Sequence, residues 1–253
     1  MTTNENEILL YTQQDGVAIL TLNRPKSYNA LSNALSAAIV KYIHQAEADD
    51  AVKVIVLTGN GKAFCAGVDL KELSSSPDVV SDDTELIKVF DDRKKPMIGA
   101  INGFCVTGGL ELALSCDFLY ASENAVFADT HTKVGLMPTW GMSQRLPNLI
   151  GVGRAKEMSY SGRKINAETA LAWGLVNRVF PTEQLLPEAL KLATEIAGND
   201  QIAVAGMKTL IDTGASLSLK EALAYEYKTS HEHNDVKDFS GMGKKLDEVR
   251  GKK

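Results

Sequence analysis

Three apolar runs constrain this chain most: VAILTL (Val17 to Leu22), VKVIVLTG (Val52 to Gly59) and MIGAIN (Met97 to Asn102). Each ends on turn-forming residues, the pattern of a buried strand. DFLYAS (Asp117 to Ser122) reads as a fourth strand. Between the first two, Ser32 to Ala48 has helical periodicity, with Leu35, Ile39, Ile43 and Ala46 on one stripe and Ser32 in position to cap it. Strands that alternate with helices in this way predict an α/β core. The polar stretch SSSPDVVSDD and the short amphipathic piece after it, between Leu73 and Lys95, read as a mobile excursion from that core. Beyond Pro138 the pattern turns helical, over Gly153 to Tyr160, Asn166 to Trp173, Glu183 to Ala197, Ile202 to Ile211 and Leu219 to Asn234. LVNRVF (Leu175 to Phe180) is one short strand among them. The expected division is a core over residues 1–195 and a helical region over 196–253, whose basic tail GKKLDEVRGKK is expected to fray.

Composition narrows the function classes. A net charge of -5 argues against nucleic acid as the main partner, though not against a small anion held by a local basic cluster. No apolar run approaches the ~18 residues of a membrane span. The N-terminus, MTTNENEILL, has neither the basic start of a secretory signal nor the arginines of a transit peptide. The three cysteines, Cys65, Cys105 and Cys116, are an odd number in apolar surroundings and read as core residues of a reducing compartment. A cytoplasmic location with no membrane partner is expected.

Several motifs fail on spacing. The glycines of TGNGKAFCAG fit neither the dinucleotide fingerprint nor a phosphate loop. The histidines of His231–Glu232–His233 fall on different helix faces and do not form a zinc motif, and GMSQR lacks the second glycine of a nucleophile elbow. Two segments remain, VIVLTGNGKAFCAGVDLKEL and MIGAINGFCVTGGLELALSCD, each a strand running into glycine-bearing backbone. In the second, Gly108–Gly109 lies where a helix should begin. The first amides of a helix lack internal partners and attract negative charge. The Gly108 amide is therefore a candidate oxyanion donor, and the Val68 amide beside Gly67 is the second. Tight packing of strand against helix would also call for these glycines. Glu111 falls in the first turn of that helix, among Leu110, Leu112, Ala113 and Leu114, and the helix dipole favours its ionised form.

AFCAGVDLKEL and INGFCVTGGLELALSCD resemble the two signature segments of the crotonase superfamily, the enoyl-CoA hydratase/isomerase family. The likeness continues through LNRPKSYNAL, VGLMP, QRLPNLIGVGRAKEM and SGRKINAETALAWGLVNRVFP, in collinear order over roughly residues 8 to 250. The resemblance implies an α/β fold of repeated β-β-α turns wound into a spiral, with a helical C-terminal region that builds a trimer, often paired into a hexamer. It implies an acyl-CoA thioester substrate, no cofactor beyond that coenzyme A, and no metal. Carried over by position, the oxyanion donors are the amides of Val68 and Gly108. Ala66, Asp69, Leu70 and Lys71 match the segment that contacts CoA, and Lys26 and Ala30 match the loop beside the nucleotide end. Arg24 and Lys26 would supply local positive charge for its phosphates. Glu111 matches the first catalytic glutamate of the hydratases.

The chain also departs from that pattern. The second hydratase glutamate falls in FADTHTKVGLMP and by register is His131. Thr139–Trp140 stands where hydratases carry small residues, so the Trp140 indole would shorten or reshape the acyl pocket; the other readings are a core or subunit-contact aromatic for Trp140 and, for His131, a structural histidine bonded to nearby backbone or to Asp129. A histidine can act both ways near neutrality, since its unperturbed pKa is about 6.5. If Glu111 and His131 share one water, their charges are expected to push the carboxylate pKa down and the imidazole pKa up. Hydration of a 2,3-enoyl-CoA is the expected reaction. A double-bond isomerase and an acyl-CoA-binding protein without hydratase activity are the alternatives.

Overall fold

A computed structural model describes residues 7–75, 84–236 and 240. The apolar runs become neighbouring strands of one sheet. β1 (Leu9–Gln14) and β2 (Val17–Leu22) form an antiparallel hairpin. Its two-residue turn, Asp15–Gly16, has φ of 48° and 78°, the left-handed pair that matches strand twist. β3 (Val54–Gly59), β5 (Met97–Ile101), β7 (Phe118–Ser122) and β10 (Arg178–Phe180) continue the sheet in the order β1-β2-β3-β5-β7-β10, all parallel to β2. A second sheet, in the order β4-β6-β8-β9, is made of β4 (Ala63–Cys65), β6 (Phe104–Val106), β8 (Val126–Ala128) and β9 (Ile165–Asn166).

The helices close the turns of the spiral. They are α1 (Asn33–Ala48), α2 (Leu70–Ser75), α3 (Thr84–Asp91), α4 (Gly108–Leu114), α5 (His131–Val134), α6 (Met142–Ile150), α7 (Val152–Ser161), α8 (Ala167–Trp173) and α9 (Thr182–Ala197). β3–β4–α2, β5–β6–α4 and β7–β8–α5 are thus successive β-β-α turns, each giving one strand to either sheet. This is the spiral that the resemblance implied. Ser32 caps α1 as expected, its hydroxyl accepting from the Leu35 amide at 3.2 Å.

Both faces of the large sheet are covered, and so its parallel strands read as unbroken apolar runs. On one face Leu20, Ile55, Leu57 and Met97 pack with Leu35, Ile39 and Ile43 of α1 and with the apolar residues of α4. On the other, Val17, Ile19, Val54, Val56 and Ile98 pack with Leu185, Ala189 and Ala193 of α9. One expectation is corrected here. The amphipathic piece after SSSPDVVSDD is no excursion, because α3 buries Leu86, Val89 and Phe90 in the core. Their i, i+3, i+4 spacing makes one apolar stripe, which faces α1. Residues 76–83 and most of the tail, including GKKLDEVRGKK, lie outside the described residues.

Two compact units divide the chain, Met1–Val204 and Ala205–Lys253. All the strands and α1 to α9 belong to the first. α10 (Gln201–Gly214) and α11 (Leu219–Asn234) bury no residue. α11 opens with a reciprocal capping box between Ser218 and Glu221.

Candidate active site

The two glycine segments meet. After β4, Gly67 takes φ of 95°, which turns the chain so that Leu31 donates to the Gly67 carbonyl at 2.8 Å and Asp69 donates to the Leu31 carbonyl at 2.9 Å. The Val68 amide points to the other side of this bridge. Gly108 opens α4, with its amide among the unpaired first amides of the helix. Among the described residues neither amide has a hydrogen-bond acceptor. They are close together: a methyl group placed on Gly108 would lie 3.6 Å from the Val68 nitrogen, and one on Gly67 would lie 3.3 Å from the Gly108 nitrogen. Gly109 does a different job. Its Cα sits so near β4 that a Cβ would come within 2.1 Å of the Cys65 carbonyl oxygen, so glycine sets the distance between the two segments.

Every residue of α4 is buried, Glu111 included. One carboxylate oxygen, Oε1, accepts from the Trp140 amide at 2.9 Å and the Met142 amide at 3.3 Å. The other, Oε2, lies 3.6 Å from Nε2 of His131. His131 heads α5 and is itself buried. Its Nδ1 lies 2.7 Å from Oδ1 of Asp129, which also accepts from the His131 amide at 3.2 Å. The chain thus lines up Asp129, His131 and Glu111 in a row.

Burial pushes the Glu111 carboxyl above its ordinary pKa, and this outweighs the two amides and the imidazole that favour the charged form. The expectation that the helix start and His131 would lower it is therefore corrected: desolvation is the larger effect in a fully enclosed helix. For His131 burial favours the neutral ring, but Asp129, by hydrogen bond and charge, and then Glu111 raise the imidazole above its usual value. Burial works against the Asp129 carboxylate too, yet hydrogen bonds from the His131 and Ser159 side chains hold its pKa below the usual range.

An open cleft ends at this row. Glu111, His131 and Trp140 line its inner end. Val68, Asp69 and Leu31 form one wall, and Leu136, Met137 and Thr139 another. Of the residues expected at the site, Glu111, His131, Val68, Asp69 and Trp140 border this one cavity. Trp140 is also part of the main core, with its ring against Gly108. The indole was legible in the sequence. Its backbone amide, which fixes Glu111, was not, and neither was that of Met142, because no side-chain pattern marks a main-chain donor.

Apart from Asp69, the positions expected to meet CoA do not line this cleft. Lys26, Ala66, Leu70 and Lys71 are exposed and Ala30 is half-buried. Arg24 is not available as a free phosphate-binding cation, as its guanidinium donates to the Ala30 carbonyl and pairs with Asp69 at 2.9 Å. Burial of Asp69 opposes its charge, but Arg24 holds its carboxyl below the ordinary value. This pair ties the Arg24–Ala30 loop to the segment after Gly67. Asn29 adds to it from below, donating to the carbonyls of Asn60 at 3.0 Å and Ala63 at 2.7 Å.

The family model for enoyl-CoA hydratase/isomerase matches residues 12–248. The chain belongs to the enoyl-CoA hydratase/isomerase family. It is 39% identical over 245 residues to an Arabidopsis thaliana protein named probable enoyl-CoA hydratase 1, peroxisomal, covering 96% of this chain and 91% of that one. It superposes on the crystal structure of an enoyl-CoA hydratase from Bacillus anthracis with a TM-score of 0.90 and 36% identity, over 96% of this chain and 97% of that one. An enoyl-CoA hydratase structure from Mycobacterium avium is 45% identical, with a TM-score of 0.75, over 91% and 100% of the two chains. Within the enoyl-CoA hydratase/isomerase family, then, this member carries a carboxylate–imidazole pair at the end of its cleft, with an aspartate behind the imidazole. None of its helices, among the described residues, is long and apolar enough to cross a membrane.

Proposed function

We propose that the chain hydrates a 2,3-enoyl-CoA thioester. The observation that carries this reading is the facing of Glu111 and His131, at 3.6 Å, beside two amides that have no acceptor among the described residues. In the proposed reaction the thioester oxygen sits between the Val68 and Gly108 amides. Glu111 takes a proton from a water whose oxygen bonds to C3. The π electrons of the C2–C3 bond move onto the thioester oxygen, where the amides stabilise the enolate. The imidazolium of His131 then delivers the proton on Nε2 to C2 as the enolate collapses. Glu111 is left protonated and His131 neutral, and one proton passing from the carboxyl to the imidazole restores the starting pair. Protein groups alone carry these steps.

Lys26, Ala30, Ala66, Leu70 and Lys71 would contact the CoA moiety. Asp69 would serve there by holding the loop through Arg24. Trp140, at the inner end of the cleft, would limit the acyl group. The exposed apolar side chains of the helical region over residues 196–253, among them Ile202, Met207, Ile211, Leu219 and Leu223, would be covered by a trimer or a hexamer. Light scattering should give three or six chains per particle, and a stable monomer at micromolar concentration would sink the assembly reading.

The test of function is product analysis on a panel of enoyl-CoA thioesters of different chain length. Hydration consumes the conjugated absorbance and adds the mass of one water. A product of unchanged mass with its double bond moved would make the chain an isomerase. Binding by calorimetry with no turnover on any thioester would make it an acyl-CoA-binding protein.

A further inference from the structure

We propose that Asp129 is a positioning residue for His131: it holds the ring with Nδ1–H toward its own carboxylate and Nε2 toward Glu111, and it sustains the imidazolium that donates to the substrate. The inference rests on the hydratase reading for its kinetic consequence, but not for its geometry.

The contact of 2.7 Å between Nδ1 and Oδ1 is a hydrogen bond that requires the proton on Nδ1. An imidazole with one ring nitrogen so engaged has its tautomer chosen for it, and Nε2 is left to face the reaction side. The orientation is fixed twice, since the same Oδ1 accepts from the His131 backbone amide at 3.2 Å. Solvent does not compete for these bonds: the side chains of Asp129, His131 and Glu111 are 4%, 9% and 3% exposed. Asp129 from the end of β8 and Glu111 from α4 are the charged groups that face the ring, while α7 turns Ser159 toward Asp129. Two carboxylates that flank one buried imidazole favour its protonated form, as unpaired buried charge is costly.

The segment is also anchored. Between the two residues, the Thr130 hydroxyl bonds the hydroxyl of Thr107, and the Thr130 amide donates to that same oxygen at 3.2 Å. Thr107 stands immediately before Gly108 and has φ of 54° and ψ of -116°, a conformation that a β-branched residue adopts only under constraint. The Asp129–His131 segment and the Gly108 amide are therefore held to one strained turn. This lets the proton donor and the oxyanion donor keep a common frame.

Asp129→Asn keeps the shape and removes the charge. On crotonyl-CoA we expect kcat to fall about ten- to a hundredfold with KM changed less than about twofold, and the alkaline limb of the kcat profile to move about one unit to lower pH. Asp129→Glu should recover part of the loss. In a His131→Gln background Asp129→Asn should cost nothing further, because its effect runs through the ring. An unmoved alkaline limb, or a loss that adds in full to that of His131→Gln, would overturn the proposal and leave Asp129 a structural residue. A second measurement needs neither turnover nor a variant that folds. Nitrogen-detected NMR of the native protein, which has 4 histidines, should show the His131 ring protonated on Nδ1 across neutral pH. A neutral ring protonated on Nε2 alone would refute the proposal even if hydration is confirmed. The expected ring state in a protein that hydrates no thioester would reject the reaction and keep the role of Asp129.

Discussion

Gly108 and Gly109 are adjacent, and the same substitution should break the protein in two different ways. In Gly109→Ala the new methyl would lie 2.1 Å from the Cys65 carbonyl oxygen, 2.7 Å from its carbon and 2.9 Å from its Cβ. The obstacle is mostly backbone, on a strand paired with β6, so it cannot swing aside. Relief requires α4 to back away from β4 by more than about 1 Å, and overpacking of this kind typically costs about 1–3 kcal/mol, with a backbone clash at the upper end. Replacing a helical glycine returns up to about 1 kcal/mol. The net loss should be about 2 kcal/mol, which for a slope near 2–3 kcal/mol per molar lowers the urea midpoint by up to about 1 M. In Gly108→Ala the closest atom is Cζ3 of the Trp140 ring at 3.3 Å, a side-chain atom that yields by a few tenths of an ångström. Stability should change by less than about 1 kcal/mol. Turnover should nonetheless collapse, because the methyl sits 3.6 Å from the Val68 nitrogen, in the space where a thioester oxygen must come within about 3 Å of both amides. Losing one such donor typically costs about 10²–10³ in rate. The assays are urea denaturation at one protein concentration and the absorbance of crotonyl-CoA. A Gly109→Ala protein with a native midpoint, or a Gly108→Ala protein with native turnover, would refute the reasoning.

Glu111→Gln should lower turnover about 10²–10⁴-fold with CoA affinity little changed, checked by steady-state rates and calorimetry, since it removes a general acid–base group but no CoA contact. Activity needs Glu111 ionised and His131 protonated, and both pKa values are raised, so the bell-shaped profile should lie on the alkaline side of an unperturbed Glu/His pair, with limbs that belong to the pair jointly; a profile centred below about pH 5 would contradict this. For stability the sign follows: a group with a raised folded pKa stabilises fully below its unfolded value, about 4.3 for Glu and 6.5 for His, and that contribution is lost as pH rises through the folded value. The urea midpoint relative to a Glu111→Gln, His131→Gln double variant should therefore fall as pH rises, first above about 4.3 through Glu111 and then above about 6.5 through His131, while Asp129, with its lowered pKa, adds the opposite dependence only in acid. His131→Glu should raise crotonyl-CoA hydration only when Trp140→Gly accompanies it, and a strong gain from His131→Glu alone would show that the indole does not obstruct the water.

The unbroken apolar strands, the capped stripe of α1 and the place of Glu111 on a buried helix were determined by the sequence itself, because side-chain period and cap chemistry are local properties. The resemblance carried the spiral and brought His131 and Trp140 to notice. Four things were decided by tertiary structure. The short strands β4, β6 and β8 have three residues each, too few to show a period, and exist because neighbouring turns of the spiral pair them. α3 joined the core because α1 offered its stripe a partner, although the polar tract before it read as loop. The direction of the Glu111 pKa shift went against the local expectation, since a helix start acts over one turn whereas desolvation is imposed by everything packed around it. The partners of Glu111, His131 and Arg24 come from places as far as 45 residues away in the chain, some of them main-chain groups, and such groups carry no residue identity by which a sequence could announce them.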